Sequence, residues 1–171
     1  MTIRPATPAD LTAIHDLHLS NWRAAYRALL PDTTLEGAAA EYLAARWGPD
    51  ALERDTVLVA AGPQQSVLGF VALRIEAEGH LYVDNLHVAP ASRGRGLSRA
   101  LMAQAARIAG ARPVRLTVLD GNEAARAIYA RWGGAEGPSV EERFLGITLR
   151  ERRVDWPTGA ALLRGLGTIP E

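Results

Sequence analysis

The chain has 171 residues, 48% of them hydrophobic, which suits one domain with a full core. Its 19 basic and 19 acidic residues give a formal net charge of +0, so no global field draws it to nucleic acid or to an anionic membrane. It has no cysteine, which excludes disulfides, thiolate nucleophiles and cysteine-based metal sites.

In chain order, residues 2–4 read as a short strand. Thr7-Pro8-Ala9-Asp10 follows, with a capping residue, a proline at the first helical position and an acid three residues after the cap. The first helix is expected to run towards Tyr26. Pro31 interrupts, and an alanine-rich helical stretch over about 35–47 carries Leu35, Tyr42 and Trp47. Residues 57–61 and 67–73 read as an antiparallel pair joined by Gly62-Pro63-Gln64-Gln65. A strand over 81–88, a glycine-rich loop, a helix, a strand over 114–119 and a helix from Asn122 to about Trp132 come next, then a β-rich tail to Trp156. Residues 157–171, with three glycines and two prolines, look like an appended C-terminal arm on a domain of residues 1–156. No basic region followed by an apolar run opens the chain and no stretch approaches transmembrane length, so a cytoplasmic protein without a membrane partner is expected.

Two βα units after an antiparallel start imply a mixed sheet with helices on both faces and parallel strands at 81–88 and 114–119. The most informative stretch lies between them. Leu86-His87-Val88 feeds Arg93-Gly94-Arg95-Gly96-Leu97-Ser98, which opens into a helix. Glycines at 94 and 96 allow positive φ, so backbone N–H groups can converge on an anion at the positive end of the helix. The P-loop pattern is absent, and the dinucleotide fingerprint fails at Arg99, three positions after Gly96. In the helix that follows, Leu97, Leu101, Ala105 and Ile108 recur at helical spacing, and Gly110 sits at the expected stop. His15 and His18 share a helix face at i,i+3, but no third ligand stands near them, so no metal is expected.

These residues resemble the GNAT superfamily of acyl-CoA-dependent N-acetyltransferases, whose pattern [RQ]-x-x-G-x-[GA] after a Leu-x-Val-type strand end is similar to Leu86 to Ser98. Ser98 stands where glycine or alanine is usual. A second half of the pattern is similar as well: Leu116-Thr117-Val118, then Asn122, Ala125, Tyr129, Arg131 and Gly133, with Gly134 where an aromatic is common. The resemblance spans about residues 2–156. It implies a mostly antiparallel α/β sheet with a central, splayed parallel pair.

The resemblance also implies the chemistry. Acetyl-CoA would be the co-substrate, its pyrophosphate held by the amides of Arg93, Gly94, Arg95, Gly96, Leu97 and Ser98, its pantetheine arm laid along Leu86, His87 and Val88. Asn122 would reach the arm from the other side, a role compatible with capping its helix. Tyr129 would be the general acid near the thioester sulfur, and a core aromatic is the alternative, since Ala125, Ile128, Tyr129 and Trp132 form one helical face. Asp84 is the first choice as base, through water, with His80 and His87 as alternatives and a simple hydrogen-bond acceptor as its other reading. The thioester carbonyl would be polarised by the N–H of Leu86 or His87. Asn21, Trp22, Tyr26 and Asp32 fall where the family builds its acceptor wall, with Trp22 and Tyr26 at i,i+4, although core packing also accounts for those aromatics. The expected activity is acetyl transfer to a primary amine of a small molecule or peptide, with a homodimer as partner state. An acyl-CoA-binding sensor without turnover, and a nucleotide-binding fold without acyl transfer, are the competing readings.

Overall fold

A computed structural model describes residues 2–26 and 37–167. Pro31, Asp32 and Leu35 lie outside the described residues. Seven strands form one sheet in the order β1-β2-β3-β4-β5-β7-β6: β1 Thr2–Pro5, β2 Thr56–Ala61, β3 Val67–Ile75, β4 Leu81–Val88, β5 Val114–Leu119, β6 Ala135–Phe144 and β7 Ile147–Trp156. The helices are α1 Leu11–Tyr26, α2 Ala38–Arg46, α3 Ala51–Arg54, α4 Leu97–Ala109, α5 Glu123–Arg131 and α6 Gly159–Leu166. The chain divides into two compact units, Met1–Ala72 with Asn85–Leu101, and Leu73–Asp84 with Met102–Glu171.

In the first unit, β1 pairs antiparallel with β2, Thr2 opposite Ala61. Asp10 closes the entry to α1 by accepting from Thr7 N at 2.7 Å and Thr7 Oγ1 at 2.9 Å. It also takes both terminal nitrogens of Arg4, at 2.8 and 2.9 Å, and these bonds hold its carboxyl down at about 2. The core here is Ile14, Leu43, Trp47, Ala51, Val57, Val59, Phe70 and Ala72, with Leu11, Leu17 and Trp22 packed against it. The short helix α3 after Gly48-Pro49 carries too few residues for a periodic signal and has no counterpart in the sequence reading.

In the second unit, β4 and β5 are parallel, as expected, but the described register covers only Leu81↔Val114 and Tyr82↔Arg115. β5 then pairs antiparallel with β7 along its whole length, Val114 opposite Trp156 and Leu119 opposite Glu151. On α4 the buried residues are Leu97, Leu101, Met102, Ala103, Ala105, Ala106 and Ala109, while Ile108 is 41% exposed. The expected stripe is corrected at that position: Ile108 lies in the same helical direction as the buried Leu97 and Leu101 but stands one residue from the end of the helix, beside exposed Arg107.

Residues 157–167, part of the expected arm, are occupied mainly by α6. Thr158 caps this helix by accepting from Ala161 N at 3.0 Å, and Leu162 and Leu166 are buried. Gly159 and Gly165 allow close approach: a Cβ on either would run into the carbonyl of Ala106 or of Trp132, respectively. Gly159 N donates to Gly110 O at 3.0 Å and Arg112 O at 3.1 Å, so the backbone of α6 is stitched to the end of α4.

Candidate active site

β4 and its loop are built largely from backbone. Glu76 N donates to His80 O at 3.0 Å and Ala89 N to Leu68 O at 2.9 Å. Between these two bonds β3 runs eight residues, from 76 back to 68, while β4 runs nine, from 80 to 89. One extra residue therefore sits in β4, a β-bulge, the device that re-aims side chains and interrupts pairing near functional sites. Every residue from Asp84 to Val88 is partly exposed although β4 is the central strand of seven.

The loop conforms to expectation. Gly94 and Gly96 have φ of 74° and 76°, and a Cβ at either would meet nothing within 4 Å, so conformation rather than crowding demands glycine. Ala100 N donates to Gly96 O at 2.9 Å as the first i→i−4 bond of the helix, and the amides of Leu97 and Ser98 before it have no acceptor inside α4. Leu97 is 3% exposed, so its side chain anchors the loop in the core while its amide stays at the helix terminus.

Behind the end of β4 lies an aromatic group from α1 and its neighbours. The His87 ring is 4.3 Å from that of His18 and 5.3 Å from Phe70. Trp47 Nε1 donates to His18 Nδ1 at 3.0 Å, so neutral His18 carries its proton on Nε2, which has no hydrogen-bond partner among the described residues. Burial pushes the His18 pKa down to about 2, helped by His87 and Arg46. Trp22 stands edge-on to His18 and parallel to Tyr42, with a ring separation of 5.8 Å, and it touches Tyr26 at 5.3 Å. The i,i+4 pair expected as part of an acceptor wall thus forms, inside an aromatic cluster in which Tyr26 is buried and Tyr42 is 41% exposed.

In the second unit, Asp84 Oδ1 accepts from Arg74 Nη1 at 3.0 Å, and the Arg74 guanidinium lies 4.9 Å from the Tyr82 ring centre. Tyr82 Oη and Thr117 Oγ1 are 2.8 Å apart across β4 and β5. Sequence reasoning missed Arg74. The signal was there, because Gly79 marks a hairpin turn closed by Glu76 and His80, and that register puts Arg74 opposite Tyr82 and diagonal to Asp84. His80, 5% exposed, faces Arg115 Nη1 at 3.4 Å, with Glu76 and Glu78 near enough to form a candidate metal group. Arg74 already binds Glu76 at 3.0 Å, so this cluster is balanced by guanidinium groups.

Tyr129 packs on Trp132 at 5.8 Å and on Trp156 at 6.2 Å, and its hydroxyl makes no hydrogen bond to a described residue. Burial pushes its pKa up to about 12, so it keeps its proton across the neutral range. Asn122 caps α5 through Oδ1, which accepts from Ala125 N at 3.2 Å. The turn before it is pinned by Asp120, which binds Arg152 and accepts from Ser139 Oγ at 3.0 Å. Gly134 is explained by its neighbours: a Cβ there would lie 2.5 Å from Val154 Cγ1 and 2.8 Å from Trp156 Cζ2. The aromatic that the family places at this position is supplied instead from β7 by Trp156, whose Nε1 donates to Trp132 O at 2.8 Å.

The acetyltransferase (GNAT) family model matches residues 12–134. The chain belongs to that family and is an enzyme of the N-acetyltransferase class. A Bacillus subtilis (strain 168) protein named "Uncharacterized N-acetyltransferase YuaI" is 25% identical, with 95% of this chain and 96% of that one covered. Among solved structures, a ribosomal-protein-alanine N-acetyltransferase from Brucella melitensis has a TM-score of 0.62 at 22% identity, covering 91% of this chain and 99% of that one. A phosphinothricin acetyltransferase from Sinorhizobium meliloti, solved in complex with acetyl-CoA, has a TM-score of 0.64 at 18% identity, covering 92% and 88%. No described helix is long and apolar enough to cross a membrane.

Proposed function

We propose that this enzyme transfers the acetyl group of acetyl-CoA to a primary amine of a small molecule or peptide. The observation that carries this reading is the loop of residues 93–98, where two positive-φ glycines lead into the first amides of α4, at the positive end of the helix. Those amides receive the pyrophosphate, and the partly exposed stretch Leu86, His87 and Val88 offers N–H and C=O groups to the amide-rich pantetheine arm. Asn122 contributes from its capping position.

In the proposed reaction a neutral amine attacks the thioester carbonyl, polarised by the N–H of Leu86 or His87. The proton that the amine sheds to become neutral passes beforehand through water to Asp84, and the excess proton it carries after attack leaves to solvent. The C–S bond breaks as the tetrahedral intermediate collapses, and Tyr129 gives its proton to the departing sulfur. A phenol with a pKa near 12 is always protonated at neutral pH, which supports this role. Asp84, already bound to Arg74, is the weaker assignment, and water serving directly as base is its competitor. Trp22 and Tyr26 are assigned to the acceptor side, in a cytoplasmic enzyme that works as a homodimer.

Thiol release from acetyl-CoA across a panel of amines, with mass spectrometry of the products, tests the reading. The expected result is one amine class that gains 42 mass units per acetyl group, roughly the mass of a ketene unit, with stoichiometric thiol. Tight coenzyme A binding with no turnover on any amine would overturn it in favour of a sensor. Preference for ATP or NAD over desulfo-coenzyme A in competition would overturn both. Light scattering that finds only monomers at micromolar concentration would remove the dimer.

A further inference from the structure

Asn21 lies on the inner face of α1 and is 9% exposed. A guanidinium can only donate, so the Asn21 atom facing Arg93 Nη2 at 2.9 Å is the carbonyl oxygen. A backbone carbonyl can only accept, so the atom facing Val88 O at 3.2 Å is the amide nitrogen. The same NH2 group stands 3.4 Å from His87 Nδ1. The orientation of the amide is dictated from both ends, and all of its partners are distant in sequence. One buried side chain thus fastens the first residue of the glycine loop to the last residue of β4.

This arrangement has a clear physical use. A loop with glycines at 94 and 96 has more backbone freedom than a segment of its length without glycine, and ordering it on binding costs affinity. Fastening Arg93 at one end, with Leu97 buried at the other, reduces that cost before the ligand arrives. The Arg93 guanidinium is then directed by Asn21 and not left to swing with the loop.

We propose that Asn21 is a positioning residue for acetyl-CoA, acting through Arg93 to preset the amides of residues 94–98. The proposal rests on the reading that this loop holds the pyrophosphate. It makes affinity for the acyl carrier depend on a side chain of α1, outside the glycine motif, that is hydrogen-bonded to the loop through Arg93.

Calorimetry with coenzyme A, together with steady-state kinetics, tests it. Asn21→Ala is expected to raise the coenzyme A dissociation constant and the acetyl-CoA KM by about tenfold, with kcat at saturation within about twofold. Asn21→Asp keeps an acceptor for Arg93 but loses the donor to Val88, and is expected to recover most of the affinity. Because Asn21 acts through Arg93, the double variant Asn21→Ala/Arg93→Ala is expected to bind no more weakly than Arg93→Ala alone. Wild-type affinity in a folded Asn21→Ala variant, or additive losses in the double variant, would overturn the proposal. Should Asn21→Ala fail to fold, affinity in Asn21→Asp as low as in Arg93→Ala would overturn it as well. If the wild-type protein itself gives no heat with coenzyme A, it is the reading of the loop that fails.

Discussion

In the proposed reaction the loop of residues 93–98 and helix α5 would offer a ligand two different things. The loop offers backbone: two glycines at positive φ, the first amides of a helix, and side chains that are exposed, anchored in the core or tied to Asn21. Helix α5 offers one side-chain atom, the Tyr129 hydroxyl, held by rings on a surface of tryptophans and without a hydrogen bond to any described residue. A backbone site tolerates changes of side chain so long as the conformation survives, which is why Ser98 in place of the usual glycine or alanine is a mild departure. A single-atom site has no such tolerance. Losses at the loop are therefore expected in binding, and losses at Tyr129 in turnover.

The largest effect is expected from Tyr129→Phe. Removing the hydroxyl while keeping the ring should lower kcat by roughly 10²-fold, the lower end of general-acid contributions, with acetyl-CoA affinity within a few-fold. Thermal melting should change little, because the ring contacts with Trp132 and Trp156 remain. Full turnover on a good acceptor would return Tyr129 to the status of a packing aromatic and erase the contrast.

Gly96→Val should do the reverse. A β-branched residue at a φ of 76° is strained, and its side chain projects beside the loop amides, so the coenzyme A dissociation constant should rise by at least about tenfold, or about 1.4 kcal/mol. Unchanged binding by calorimetry in a folded variant would sink the backbone cradle.

Asp84→Asn sharpens the comparison on the base side. The expected loss in kcat/KM is about five- to tenfold near neutral pH, below the usual general-base range because the carboxylate is already committed to Arg74. The loss should vanish at alkaline pH, where the amine reaches the site deprotonated. A loss that persists there would mark Asp84 as structural.

Smallest in its effect on turnover at neutral pH is the buried imidazole of His18. Its folded pKa, about 2, lies far below the ordinary 6.5, so the unfolded chain binds a proton in this window that the folded chain does not. Its stabilising share is complete above pH 6.5 and is lost as the pH falls, by about 1.4 kcal/mol per unit, or about 2 kcal/mol by pH 5. Urea denaturation at about pH 7 and pH 5 should show this loss, and His18→Gln should flatten it. An equally steep loss in that variant would assign the proton elsewhere.

Much of this division was legible in the residues. Gly94 and Gly96 announced a loop that only glycine can make, Gly110 sits at φ 59° where the helix was expected to stop, and Thr7 and Asp10 form the expected helix start. Asn122 caps α5 as its type and place suggested. These are local features in which a residue's own conformational preference decides the outcome. Ile108 and the four-residue helix α3 were misjudged or missed because burial arcs and very short helices depend on what packs against them.

The sequence by itself determined the order of most elements, though not α3 or α6, and with it the glycine loop and the two motif halves, since φ preference, capping and hydrophobic period act within a few residues. Only the tertiary structure decided what surrounds the chemistry. It put Arg74 on Asp84, His18 against His87, Trp156 in the space over Gly134, and Asn21 between Arg93 and Val88. Those partners come from strands and helices far apart in the chain. Their meeting depends on register, a bulge in β4 and side-chain packing, none of which is a property of any short stretch of residues.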